Sequence, residues 1–524
     1  MASADTERPR STEGQSTQPR NHAGFHRALS FVGLVMMVSL RFLWNYPIIP
    51  LSFFAWRCCE DSIQRYISRL TAPVGRRTPQ DWTTMFITVF FLRYLRLAIN
   101  IWGSWRYRPA PLPRLPTWSR RDVTVILPTI DPDNSKFDEC IISLLENRPA
   151  AILIVTVGAR MRARCEAIAR TYRRDYPSTE IGVSAVLHPS KRRQVAHAVP
   201  HVRTEFTVMA DDHVFWPSRD FLPSALAPFE DMNMGIVATH KRVRRTTPGE
   251  WSRPSVVNLI GCFYLLRHNW ELRASNAVDG GVFVASSRTA VYRTRLLKAD
   301  GVMDRYCNER FFFGLFGGKE GLGPDDDNFL TREAYRRGWA VKFQQTEDCT
   351  VETTLGDESV AKFRGQLVRW ARTTFRSNPC MLVRMLVRVT DVSNWRMPFT
   401  YFAVYAAALF NFALLWDAAL LVSLSCSTWS DGLLSRNVGK LVLWILWTKT
   451  IKIWPHIVRH PADVPLLIFQ VLFVYVHSFI KLWALVTFYD CAWLGRNLEA
   501  VDAEAEELQE YLDERFDFGT FTEQ

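Results

Sequence analysis

The chain has 524 residues, too many for one hydrophobic core, and its 48% hydrophobic content, with 19 Trp and 34 Phe, is spread unevenly. The net charge of +12 comes from Arg and Lys that recur beside apolar tracts, which argues against a nucleic-acid partner and for anionic headgroups and a phosphorylated substrate. The 10 Cys include no CxxC and no His/Cys grouping at zinc spacing, so reduced thiols and a cytosolic main domain are expected.

Residues 1–28 are polar and too charged for a cleavable signal, and they read as a disordered cytosolic tail. Residues 29–103 read as an N-terminal transmembrane region of about two spans. The first, 29–56, carries only Arg41 and is long enough to cross about 30 Å of hydrocarbon. The second, 82–102, holds Arg93 and Arg96, which must snorkel or lie in the headgroup layer.

Residues 104–378 have ordinary charge content and form the expected cytosolic domain. Its apolar runs, VTVILPTI (123–130), AAILIVTVG (150–158), IGVSAVLHP (181–189), FTVMA (206–210) and MGIVATH (234–240), are joined by helical patterns such as 160–174. That alternation predicts an α/β domain with a mainly parallel sheet flanked by helices, in which ligands bind beyond the carboxyl ends of the strands.

Asp211-Asp212-His213 stands at one such end, where three unpaired ionisable groups are costly unless a cation or ligand completes them. Asp325, Asp326 and Asp327 precede a helical run from about 328 to 337 and exceed what one N-cap requires. Gln366, Arg369 and Trp370 share a helical face, with an Arg suited to a diphosphate and a Trp suited to a sugar ring. No GxGxxG follows a strand.

Further along, 379–398 reads as an interfacial helix with Arg384 and Arg388 on one face. Residues 399–490 read as a C-terminal transmembrane region of two or three spans. The stretch 399–425 contains only Asp417, 464–489 contains only His477 and Lys481, and 438–454, with three Lys, is either a short tilted span or an interfacial or re-entrant helix. Residues 491–524 form an acidic tail.

The order of these motifs, a strand-end DDH, a DDD before a helix, Gln366-Leu367-Val368-Arg369-Trp370 and then apolar spans, resembles the processive family 2 glycosyltransferases, the hyaluronan, cellulose and chitin synthases. It is most similar to the fungal capsular-polysaccharide-synthase-like branch. The resemblance implies a GT-A-like fold embedded between N- and C-terminal transmembrane helices, with the catalytic domain on the cytosolic side of the plasma membrane. It implies that Asp211 and His213 hold Mn²⁺ or Mg²⁺ against a nucleotide diphosphate and that Asp327, with Asp326 beside it, is the general base.

It also implies that Pro128, Thr129, Lys191 and Arg192 border the nucleotide, and that Asp279, Gly280, Gly281, Tyr292 and Arg293 line the donor and acceptor pocket. Two positions depart from the family. His213 replaces a carboxylate, and Thr156-Val157-Gly158 offers no acid to the uracil. The implied activity is inverting transfer from a UDP-sugar that elongates and translocates a growing polysaccharide. The competing readings are single transfer to a lipid acceptor, metal-dependent hydrolysis, and a non-catalytic membrane scaffold.

Overall fold

The computed structural model describes residues 61–491 except 287, 312–313, 316–320, 357–358, 382–396, 398, 401–411 and 431–434. The expected tail 1–28, the first span 29–56, nearly all of the interfacial helix 379–398 and the acidic tail after 491 therefore lie outside the described residues. Met1–Met85 and Phe86–Gln524 form two compact units, of which the second holds the sheet.

In chain order, the main elements are α1 (Pro79–Arg106), β1 (Val123–Pro128), α2 (Ser135–Glu146), β2 (Ala151–Val157), α3 (Gly158–Asp175), β3 (Glu180–Val186), α4 (Lys191–Ala198), β4 (Phe206–Ala210), β5 (Val214–Phe215), β6 (Met234–Val243) and α5 (Arg253–Asp279). There follow β7 (Thr289–Arg293), α6 (Asp326–Arg336), β8 (Ala340–Gln344), β9 (Thr350–Thr353), α7 (Val360–Arg376), α8 (Ala413–Ser425), α9 (Arg436–Thr450) and α10 (Leu467–Val486).

The sheet runs β3-β2-β1-β4-β7-β6-β9-β5, with β8 also paired to β6. Strands β3, β2, β1 and β4 are parallel, and every residue of β1, β2 and β4 is buried, as continuous apolar runs require when both faces are covered. Along β1, Val123, Val125 and Leu127 enter one core with Phe137 and Leu144 of α2, while Ile126 enters the other with Val195 of α4, the two-residue period of a strand.

The sheet is mainly parallel, as expected, but mixed: β7 runs antiparallel between β4 and β6, and β5 runs antiparallel to β9. Neither β7 nor β9 was expected from the sequence. Both are short and are bounded by charged or hydroxyl residues, which breaks the continuous apolar pattern of the central runs. The insertion matters for function: Ala210 pairs with Thr289, and the Asp211 N–H donates to the Arg288 carbonyl at 3.0 Å.

Two helical stretches, Pro79–Arg106 and Pro461–Val486, are long and apolar enough to cross a membrane. Their outer faces expose Phe91, Leu95, Phe479 and Trp483. Helix α9 has 15 residues, fewer than the ~20 a perpendicular span needs.

Candidate active site

Three strand ends and the N-termini of α4 and α6 converge on one cavity of about 770 Å³. At the end of β1, Pro128 and Thr129 form part of its wall, and the Thr129 hydroxyl donates to Asp212 Oδ2 at 2.9 Å. At the end of β4, Asp211 faces the Lys191 ammonium at 2.5 Å, while Asp326 Oδ2 lies 3.6 Å from the same ammonium.

Lys191 thus bridges the two acidic motifs. Burial disfavours its ammonium, but Asp211 and then Asp326 outweigh that and hold it above the ordinary lysine range. For Asp211, burial raises the carboxyl and Lys191 more than compensates, so it stays ionised below the usual range. His213 also lines the cavity, and its Nδ1 pairs with Asp212 Oδ1 at 2.9 Å, leaving Nε2 as the other possible ligand atom.

The three aspartates at the start of α6 have separate partners. Asp325 occupies the N-cap position with φ of 64°, a left-handed conformation tolerated best by Gly, Asn and Asp, yet its side chain makes no capping bond. Instead it accepts from Arg376 and from the Thr373 hydroxyl of α7. Asp327 Oδ1 accepts from the Asn328 N–H at 2.9 Å. Burial first, then the like charges of Asp326 and Asp325, push the Asp327 carboxyl up to about 6. A simple cap explanation therefore fails for the motif.

Helix α7 brings Gln366, Arg369 and Trp370 into the same wall, as their spacing implies. The Trp370 ring, which lines the cavity, stacks on Tyr264 at 5.3 Å and carries the Arg288 guanidinium at 5.2 Å. Arg288 Nη1 is buried without a hydrogen-bond partner, a donor available to an anionic ligand.

Other expected residues fall outside the cavity. Arg192 points away into the core, donating to the carbonyls of Tyr306, Gly323 and Pro324 and to Glu309, because a guanidinium that buried must satisfy all its donors. Asp279 accepts from the Thr400 N–H and hydroxyl and from the Gly281 N–H. Gly280 supplies the left-handed turn that ends α5 with φ of 77°, and a Cβ on Gly281 would collide with Thr400. Tyr292 and Arg293 are buried in β7, Arg293 donating to Met234, Phe229 and Glu205.

Conversely, Asp131, Lys241, Tyr264, His268 and Arg288 line the cavity without having been expected. Lys241 could have been noticed as a charge inside an otherwise buried strand; burial, reinforced by Arg288, brings its ammonium down to about 7. Arg288 had no local signal, since its place depends on the antiparallel pairing of β7 with β4.

Among the described residues, no three His, Cys, Asp or Glu side chains gather into a ready-made cation cage. A nucleotide-bound Mg²⁺ or Mn²⁺ needs only one or two protein ligands, because the diphosphate supplies others. Asp211 and His213 meet that requirement, and buried Asp326 Oδ2, without a hydrogen-bond partner, adds a further oxygen at the same wall.

A family model described as "Glycosyltransferase like family 2" matches residues 120–373. A type 2 glycosyltransferase of Zymoseptoria tritici is 35% identical over 421 residues, covering 79% of this chain and 84% of its own. The NDP-glycosyltransferase ltbB of Aspergillus luteorubrus is 28% identical, covering 78% and 96%. Among solved structures, a mannosyltransferase of Pyrobaculum calidifontis in complex with GDP-Man and Mn²⁺ aligns with a TM-score of 0.47 and 16% identity, covering 76% of this chain and 99% of that one.

Proposed function

Because the chain belongs to glycosyltransferase family 2 and such enzymes use nucleotide sugars, we propose that this cavity performs an inverting, metal-dependent transfer from a UDP-sugar to a growing polysaccharide. The observation that carries the reading is the convergence of Lys191, Asp211, Asp326, Asp327, Arg288 and Arg369 on one cavity.

In this reading Asp211 and His213 would hold a Mg²⁺ or Mn²⁺ whose chemistry is to neutralise the diphosphate leaving group. Lys191, Arg288 and Arg369 bind the phosphates through charge-assisted hydrogen bonds. Asp327, whose raised carboxyl suits a base near neutrality, takes the proton of the acceptor hydroxyl. The acceptor oxygen bonds to the anomeric carbon as the bond from that carbon to the phosphate oxygen breaks, so the configuration inverts and the nucleoside diphosphate leaves. Asp131, at the β1 loop, is the carboxylate nearest in role to the one absent from Thr156-Val157-Gly158.

The apolar outer faces of α1 and α10 support a membrane-embedded enzyme with its cavity on the cytosolic side of a cell-surface membrane, since large exposed apolar patches are rare on soluble monomers. Residues of both helices, Arg96, His477 and Lys481, border the cavity, which suits an acceptor that lies at or passes into the membrane. Single transfer to a lipid acceptor draws on the same feature.

Product length separates these two. The full chain in nanodiscs with Mn²⁺ or Mg²⁺ is offered UDP-sugars one at a time, with UDP release and product mass recorded. One donor giving a high-mass product supports polymerisation, short lipid-linked products support single transfer, and silence across the panel rejects the donor class.

A further inference from the structure

A second cavity, of about 180 Å³, lies between α1, α5, α9 and α10 and shares a wall with the first, bordered on both sides by Arg96, Tyr264, Arg267, Glu271, His477 and Lys481. Its charge is unbalanced. Arg93, Arg96, Arg267, Lys449, Lys452 and Lys481 line it, and Glu271 is the one carboxylate among the described lining residues.

Glu271 is shared by Lys452 at 3.0 Å and Arg96 at 3.8 Å. Asp417 of α8 adds a second carboxylate, paired with Lys449 and with Arg93 at 3.4 Å. Six basic side chains and two carboxylates thus meet between helices whose outer faces are apolar, a predominantly basic setting that suits an anionic ligand.

A second observation points to a ligand. Gln470 and His477 are only 8% and 5% exposed and both border this cavity, yet Gln470 Oε1 and His477 Nε2 make no hydrogen bond, leaving an acceptor for a headgroup hydroxyl and a ring nitrogen that can donate to a phosphate oxygen. Buried polar atoms without partners are rare in folded proteins.

We infer that this cavity binds the phosphate group of an anionic membrane lipid. Its volume is below the ~300–1,000 Å³ of pockets for larger organic ligands, which suits a phosphate headgroup and excludes a sugar strand. Arg93, Arg96 and Arg267 supply planar donor forks matched to phosphate oxygens, and the lysines supply point charges. Helices α9 and α10, which line the cavity, also expose Leu443, Trp447 and Phe479, apolar surface that suits acyl chains. The site stands independently of which sugar the neighbouring cavity transfers.

The test uses the full chain in nanodiscs of phosphatidylcholine with a minor fraction of phosphatidic acid, extracted into mild detergent and weighed by native mass spectrometry. One phosphatidic acid retained per chain in preference to phosphatidylcholine is expected. Arg267→Gln with Lys481→Gln should cut that retention about tenfold or more, and Arg267→Lys, which keeps the charge but not the fork, should cut it less.

Should the double variant fail to fold, the wild-type chain still decides: equal retention of the two lipids overturns the inference. Inorganic phosphate that displaces the retained lipid supports the phosphate as the recognised group. Phosphate that raises the melting temperature with no lipid retained assigns the same site to a soluble anion, and indifference to both ligands overturns it.

Discussion

Asp325 and Arg376 are joined by two hydrogen bonds, Nε to Oδ2 at 2.7 Å and Nη2 to Oδ1 at 3.1 Å, with both side chains fully buried. The pair fastens the left-handed residue that opens the acidic helix to the helix bearing Gln366, Arg369 and Trp370. Arg376 also donates to the carbonyls of Phe488 and Asp490, just beyond α10. One guanidinium thus holds two site motifs and the end of an apolar helix in register.

Removing one partner of a buried pair leaves the other charge stranded, at a cost of about 3–5 kcal/mol. Arg376→Leu is therefore expected to lower the melting temperature sharply and to abolish transfer. Asp325→Asn, which tolerates the left-handed backbone, should cost less. An unchanged melting curve for Arg376→Leu would show the pair to be dispensable.

Asp327→Asn should reduce turnover by about 10²–10⁴-fold while sparing donor binding, as expected for loss of a base. In the wild-type enzyme the active form is the carboxylate, so kcat/KM should be full above neutrality and fall as pH drops through about 6. Folding disfavours the charged form of this raised carboxyl, a penalty absent well below pH 4 and present above about 6. At pH 7.5 the Asn variant should consequently be more stable, on the order of 2 kcal/mol. A flat pH profile, or near-normal turnover of Asp327→Asn, would remove Asp327 from the role.

Neighbouring Lys191 and Arg192 are expected to behave differently. Lys191 borders the cavity between Asp211 and Asp326, so Lys191→Met should weaken donor binding about tenfold or more, read by calorimetry with the nucleoside diphosphate. Arg192 holds the Tyr306, Gly323 and Pro324 carbonyls, so Arg192→Met should chiefly lower thermal stability. Donor affinity lost equally in both, with equal melting curves, would contradict the division.

Chelation with EDTA should abolish transfer, and added Mn²⁺ or Mg²⁺ should restore it. Asp211→Asn should raise the metal concentration needed for half-maximal rate by about tenfold or more, whereas Asp131→Ala should raise the donor KM without altering the metal requirement. Full activity in EDTA would refute metal dependence.

The central strands were legible because each is a continuous apolar run, and their carboxyl ends pointed to Asp211. The cavity also gathers the aspartates, Lys191 and the helical face of Gln366, of which only that face follows from residue spacing. What escaped is long-range. Arg288 owes its place to the strand pairing of Ala210 with Thr289, 79 positions further along the chain, and no local pattern announces that. Arg192 misled for a related reason: adjacent residues at a helix start point about 100° apart, and charge alone does not say which one enters the core.

Helix α5 has 27 residues and presents His268 to the larger cavity while Tyr264, Arg267 and Glu271 border both. A partition so thin is a thermodynamic coupling. Any occupant that moves Arg267 or Glu271 alters the field felt on the other side, and reciprocity makes the effect equal in both directions. With a lipid phosphate in the smaller cavity, bilayer composition would become an input to donor affinity, and the state of the donor an input to which lipid stays.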